Sequence, residues 1–236
     1  MTALQIDKLN AWYGRSHVLQ DVSLTAMKGE VVALVGRNGA GKTSLLKSVM
    51  GMLAKTSGSV RLFDHEVMSL PTHQRFHAGL AYVPEERRIV PGLTVRENIR
   101  LGILASARKS RECEVIDEIE GLFPRLGERL DQIAVTMSGG EQQMLAIARA
   151  IAADPALIML DEPSEGIMPV LVDEMFDLFS LLKKRGKTIV LVEQNVELAL
   201  EIADSAYVLD QGTIVHACSA AELLADPVTR DRYCAI

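Results

Sequence analysis

Gly36-Arg37-Asn38-Gly39-Ala40-Gly41-Lys42-Thr43 is the stretch that decides how this chain is read. It matches the pattern GxxxxGK[ST] at every fixed position, and its flanks fit the same reading. The apolar run Val31–Val35 precedes it as a buried strand, and a helix is expected from Lys42 to about Met52. Glycines let the backbone wrap tightly enough for its N–H groups to face an anion, and the helix that follows adds partial positive charge. In such a loop Gly36, Arg37, Asn38, Gly39, Ala40 and Gly41 enclose phosphates and Lys42 reaches the β- and γ-phosphates. Thr43 offers its hydroxyl to Mg²⁺, and Ser44 is a further donor to the α-phosphate. The expected ligand therefore carries β- and γ-phosphates and comes with Mg²⁺.

Outward from the loop, short β-rich runs alternate with helix-length amphipathic stretches, the pattern of an α/β fold with a largely parallel sheet. Strands are expected at Leu4–Leu9, Val18–Thr25, Val31–Val35, Gly58–Phe63, Gly79–Val83, Ala156–Leu160, Thr188–Val192, Ala206–Leu209 and Thr213–His216. Asp210-Gln211-Gly212 turns the last two into a hairpin, and the loop with Tyr13-Gly14 makes the first two antiparallel. Between Pro84 and Ile151 the strand signal stops. Helices are expected there at Thr94–Ala107, Ser110–Phe123 and Ser138–Ala153, the first opened by a Thr94-x-x-Glu97 capping box. Residues 85–151 therefore read as a helical insert in a core of residues 1–84 and 152–236.

A second acidic signal closes a strand: Leu157-Ile158-Met159-Leu160-Asp161-Glu162. Ligands of open α/β sheets bind at the carboxyl ends of the strands, so both acids should face the phosphates. Asp161 is placed to hold Mg²⁺, directly or through water, and Glu162 to act as general base on the attacking water.

Composition excludes several alternatives. Of 236 residues 48% are hydrophobic, yet no run approaches the roughly 18 apolar residues of a transmembrane helix. Met1–Asn10 lacks the basic and apolar regions of a secretory signal. Cys113, Cys218 and Cys234 are far apart with no metal-ligand spacing, which suits a reducing compartment. The net charge of −6 conceals a division: 9 basic and 5 acidic side chains in residues 1–84, but 7 and 17 in residues 130–236. No basic stripe of a nucleic-acid binder is present. His73 and His77 stand four apart in a segment opening at Pro71, but no third ligand accompanies them, so a surface helix is expected. Lys183-Lys184-Arg185-Gly186-Lys187 reads as a helix C-terminus, where cations and glycine are favoured.

Ser138-Gly139-Gly140-Glu141-Gln142-Gln143 reads as a helix start, with Ser138 as N-cap and Glu141 completing a capping box. Together with the phosphate loop and the Asp161-Glu162 pair, it resembles the signature of ATP-binding cassette (ABC) proteins, with Met137 where leucine is common. The resemblance covers the chain from Leu4 onward. It implies a P-loop NTPase core of RecA-like type, an antiparallel β subdomain and an inserted helical subdomain. It also implies that Ser138, Gly139 and Gly140 press on the γ-phosphate of ATP held by a second cassette. Tyr13 matches the aromatic that stacks on adenine, with Trp12 as the fallback.

Three positions depart from the usual pattern. Glu85, in Tyr82-Val83-Pro84-Glu85-Glu86-Arg87-Arg88, stands where a glutamine normally reaches Mg²⁺ and water. Arg87 and Arg88 are close enough in sequence to offset its charge. The loop after Glu162 carries Glu165-Gly166-Ile167-Met168 where an aspartate is usual, and Gln194 replaces the usual switch histidine. Gln194 can donate a hydrogen bond to the γ-phosphate but cannot carry a positive charge. The combination is similar to the LivF-type ATPase chain of high-affinity branched-chain amino acid importers; ATPases of related urea and amide importers are similar too. The implied partners are transmembrane permease subunits and a second ATP-binding subunit, as a heterodimer in the importer or a homodimer in isolation. A periplasmic or extracellular binding protein takes part indirectly. The implied location is the cytoplasmic face of the membrane, with coupling through Glu85–Val90. Two other classes stand beside this one. A nucleic-acid ABC protein would carry a long coiled-coil insert or a second cassette; a catalytically weak regulatory cassette is suggested by Gln194 and opposed by Glu162.

Overall fold

The computed structural model describes residues 1–106 and 108–233. The last residue of the expected helix Thr94–Ala107, and Cys234, lie outside them. In chain order the elements are β1 (Thr2–Tyr13), β2 (Ser16–Met27), β3 (Val31–Val35), α1 (Lys42–Val49), β4 (Lys55–Leu62), β5 (His65–Glu66), α2 (Thr72–His77) and β6 (Leu80–Val83). Then come α3 (Val95–Leu104), α4 (Glu112–Leu122), α5 (Pro124–Gly127), α6 (Gly139–Ala152), β7 (Leu157–Asp161), α7 (Pro169–Lys184) and β8 (Thr188–Val192). The chain finishes with α8 (Val196–Ile202), β9 (Ser205–Asp210), β10 (Thr213–Ser219), α9 (Ala220–Leu224) and α10 (Pro227–Tyr233).

Two compact units result. The first comprises Met1–Tyr82, Ala156–Glu162 and the chain from Phe179 onward. It contains a four-stranded sheet in the order β2-β1-β4-β5 and a six-stranded sheet in the order β10-β9-β3-β8-β7-β6. Strand β1 pairs antiparallel with both β2 and β4. In the larger sheet β3 runs parallel to β8 and β9, β7 parallel to β8, and β10 returns antiparallel along β9. Strands β3, β7 and β8 are buried along their whole length, which explains their unbroken apolar runs. The core joins both sheets through α1: Leu4, Leu9 and Leu19 share one cluster with Leu34, Leu45, Leu46, Met159 and Val190.

Arg75 on α2 is only 3% exposed despite its charge. Its guanidinium donates to the carbonyls of Ser48 (3.0 Å) and Val49 (2.7 Å) at the end of α1, and to those of Met68 (2.7 Å) and Leu70 (2.9 Å). Four carbonyls that water would otherwise have to solvate thus meet one delocalised cation. Burial pulls the Arg75 pKa down from its ordinary value, with Glu66 acting the other way.

The second unit comprises Val83–Pro155 and Pro163–Leu178. It begins and ends close to the expected insert of 85–151, but it also takes in residues 163–178, which the sequence reading assigned to the core. Helix α3 opens with the expected capping box of Thr94 and Glu97 and ends at Leu104, and α4 starts at Glu112 rather than Ser110. Asn98, fully buried, uses its amide to bond Val90 N, Val90 O and Thr94 O at 2.9–3.1 Å, fastening the loop before α3.

Candidate active site

Strand β3 delivers the chain to the phosphate loop, and glycine is required there for stated reasons. Gly36 has φ +148°, and a Cβ on it would lie 2.1 Å from the carbonyl oxygen of Leu209 on β9. Gly41, with φ +112°, is the N-cap of α1; a Cβ there would lie 3.1 Å from the Leu19 side chain. Lys42 is 4% exposed and curls back under the loop, its Nζ donating to Gly36 O (2.8 Å) and Arg37 O (3.3 Å). Arg37, Asn38 and Gly39 are exposed, Ala40 is buried, and Thr43 and Ser44 are half-buried. The helix ends at Val49, short of the expected Met52, and Gly51 with φ +74° follows.

Opposite the loop, β7 ends at Asp161 and Glu162 follows it directly. In an extended strand neighbouring side chains point to opposite faces, so the expected sharing of one site by two adjacent acids requires a break in that alternation. Glu162 escapes that rule by adopting a left-handed conformation, φ +48°, pinned by its N–H donating to Val192 O of β8 at 2.9 Å. Such a backbone costs a non-glycine residue about 1–2 kcal/mol. Both carboxylates then reach α1: Thr43 Oγ1 donates to Asp161 Oδ1 at 3.1 Å, and Lys42 Nζ lies 3.4 Å from Glu162 Oε1. Gln194, just past β8, donates from Nε2 to Glu162 Oε2 at 2.5 Å, and Tyr82 of β6 donates its hydroxyl to Asp161 Oδ2 at 2.9 Å. Burial, assisted by the neighbouring Glu162 charge, raises the Asp161 pKa above the ordinary carboxylate value; the bonds from Tyr82 and Thr43 oppose that rise.

The end of β1 holds the two aromatics. Trp12 is engaged on its faces, stacked on His17 (centroids 4.5 Å apart, planes at 10°) with Lys55 Nζ 4.6 Å from the ring centre. Tyr13 is 48% exposed, which leaves it the better placed of the pair to meet a base.

In the second unit, α6 starts as expected. Glu141 N donates to Ser138 Oγ at 3.4 Å, and Glu141 Oε2 accepts from Ser138 N at 2.9 Å and from its hydroxyl at 2.8 Å. Burial pushes the Glu141 pKa up, but the Ser138 bonds and the Arg129 guanidinium 2.8 Å away outweigh it, so the carboxyl lies below its ordinary value. Gly140 is buried, and a Cβ there would meet the Leu171 side chain at 2.5 Å. A Cβ on Gly139 would lie 2.6 Å from the Arg87 guanidinium, and Arg88 Nε lies 3.5 Å from a Glu86 carboxylate oxygen. Arg88 thus lies beside Glu86 and Arg87 beside the helix start, with φ of +59° at Arg87 and +46° at Arg88. Glu85 itself is exposed.

The structure thus brings together Lys42, Thr43, Asp161, Glu162 and Gln194 within the first unit. Ser138, Gly139, Gly140 and Glu85 belong to the second. Sequence reasoning missed Tyr82; its position at the carboxyl end of a strand beside β7 was the available signal. A glycine-wrapped loop on a helix start, facing two acids at a strand end, defines a P-loop nucleotide-binding protein.

Comparison with known proteins narrows the class. Residues 19–165 match the ABC transporter family. The chain is 44% identical over 230 residues to BraG of Pseudomonas aeruginosa, a high-affinity branched-chain amino acid transport ATP-binding protein, covering 98% of each chain. It is 41% identical over 222 residues to a probable branched-chain amino acid transport ATP-binding protein, LivF, of Archaeoglobus fulgidus, covering 94% of each. A solved ATP-binding subunit of an ABC transporter superposes with a TM-score of 0.85 at 27% identity, covering 94% of this chain and 92% of the other. The chain belongs to the ABC transporter family, as an ATP-binding cassette with ATPase activity. Among the described residues no helix is long and apolar enough to cross a membrane.

Proposed function

We propose that this chain is the ATP-hydrolysing subunit of an importer for branched-chain amino acids, docked at the cytoplasmic face of the membrane beneath permease subunits. The observation that carries the catalytic part is the convergence of Lys42, Thr43, Asp161, Glu162 and Gln194 at the carboxyl ends of β3, β7 and β8. The substrate rests on the near-complete coverage of the BraG and LivF relatives.

The donor set beside the loop suits Mg²⁺: a hydroxyl and a carboxylate oxygen 3.1 Å apart are hard oxygen ligands, with phosphate oxygens to complete the shell. Thr43 and Asp161 would hold the ion, which supplies charge neutralisation at the phosphates. Lys42 releases Gly36 O, Arg37 O and Glu162 as it turns to the β- and γ-phosphates, so nucleotide entry and release of Glu162 are one exchange. Freed from Lys42, Glu162 accepts the proton of the attacking water, while the Gln194 amide fixes its orientation. Tyr13 stacks on the base, and Ser44 adds a hydroxyl to the α-phosphate.

The second unit, as the inserted helical subdomain, contributes Ser138, Gly139 and Gly140 to the γ-phosphate of ATP held by a second cassette. The pair is a heterodimer in the importer, and a binding protein outside the membrane selects the cargo. Co-expression with the permease subunits of a branched-chain amino acid importer, followed by ATP-driven uptake into vesicles, tests this function. Uptake of leucine, isoleucine or valine is expected; uptake of urea or an amide with none of these would overturn the substrate assignment.

A further inference from the structure

Tyr82 has the attributes of a part that the reaction described above does not use. It lies on β6, next to β7 in the sheet, and its ring packs against the central core cluster. A half-buried ring packed against the core, with two torsions, carries its hydroxyl to a fixed point. That point is Asp161 Oδ2, 2.9 Å away, while Thr43 holds the other carboxylate oxygen, Oδ1, at 3.1 Å. A carboxylate turns freely about its last torsion unless both oxygens are tied. Here two donors from two elements divide it, the core-side oxygen to Tyr82 and the loop-side oxygen to Thr43.

We propose that Tyr82 is a positioning residue that reserves Asp161 Oδ2 and so presents Oδ1 alone, beside Thr43, to the divalent cation. The inference rests on reading this site as one for a metal–nucleotide complex. Outer partners that orient a metal-binding carboxylate act through ligand geometry, and their loss weakens metal affinity while leaving the remaining ligand contacts in place. Tyr82 is also the last residue of the first unit before the chain enters the second at Val83, three residues ahead of Glu85. The hydroxyl therefore ties the Asp161 carboxylate to the chain segment that connects the two units.

The test uses the full chain with ADP and Mn²⁺ as a spectroscopic stand-in for Mg²⁺. Bound Mn²⁺ is read by electron paramagnetic resonance, and ADP affinity is measured separately in EDTA. Tyr82→Phe keeps the ring in the core and removes only the hydroxyl. It is expected to weaken Mn²⁺ binding about tenfold, to leave metal-free ADP affinity unchanged, and to regain full occupancy at saturating Mn²⁺. Unchanged Mn²⁺ affinity overturns the proposal. So does a metal-free ADP affinity that falls by the same factor, because a general loss of structure would do that. A wild-type chain that takes up no Mn²⁺ with ADP overturns the nucleotide-site reading itself.

Discussion

Replacing Glu162 by glutamine keeps its shape and removes the charge that faces Lys42. The two groups lie 3.4 Å apart, with side chains only 4% and 9% exposed. At an effective dielectric of about 20 their gross attraction is about 5 kcal/mol, most of it offset by the cost of stripping water from both ions. Lys42 keeps Gly36 O and Arg37 O as acceptors after the change. A net loss of about 1.5 kcal/mol follows, the lower end for a hydrogen bond between charged groups. For a chain of this length that corresponds to a melting temperature about 3–6 °C lower without nucleotide. The same exchange acts in the opposite direction on binding. Lys42 no longer leaves a carboxylate to reach the phosphates, so ADP should bind about tenfold more tightly. Calorimetric titration with ADP and thermal unfolding of the nucleotide-free chain read the two effects. An unchanged melting temperature refutes the ion-pair exchange even where affinity rises, because relief of carboxylate–phosphate repulsion alone explains that result. Unchanged or weaker ADP binding refutes it outright.

Gln194→His should raise turnover and introduce a pH dependence near pH 6–7, where wild-type hydrolysis owes none to this position; rate–pH profiles of both proteins check it, and identical profiles remove the role given to Gln194. Asp161→Asn should abolish metal-dependent nucleotide binding yet stabilise the nucleotide-free chain at pH 7 by about 1 kcal/mol, seen as a higher melting temperature. The sign follows from the raised Asp161 pKa. Ionising that buried group costs the folded state more than the unfolded one, so the penalty is absent below about pH 4, grows as pH rises toward the folded-state pKa and is constant above it. The gain from Asn should therefore vanish in acid. Arg75→Leu should cost about 3 kcal/mol by leaving the ends of α1 and its neighbouring loop with unsatisfied carbonyls. Its unfolding midpoint should fall, while residual folded protein still binds nucleotide.

Much of this was legible because the informative residues are local in sequence. The phosphate loop, its flanking strand and helix, the Ser138 capping box and the Asp210–Gly212 hairpin each follow from short-range rules of backbone geometry and capping. Strands β3 and β8 match their expected ranges to the residue, since both are continuous apolar runs. What escaped depends on long-range placement. That Asp161 and Glu162 share a site was expected from the strand end, but not its cause, a left-handed turn held by Val192 O that cancels the strand alternation. Tyr82 meets Asp161 across 79 positions of sequence. Arg75 sits in a segment that reads as a polar surface helix, and only the end of α1 reveals why it is buried. The two-residue strand β5 is too short to show a pattern. Residues 163–178 leave the core because their compactness is with the helical unit, a grouping that no local signal encodes.

The central claim is that the carboxylates at the end of β7 turn a nucleotide-binding loop into an ATPase. Its most direct test is phosphate release from Mg-ATP by the purified chain, compared with Glu162→Gln at saturating ATP. Hydrolysis by the wild type and a fall of roughly 100-fold or more in the variant is the predicted result, on the scale of general-base catalysis. Equal rates in the two proteins would contradict it.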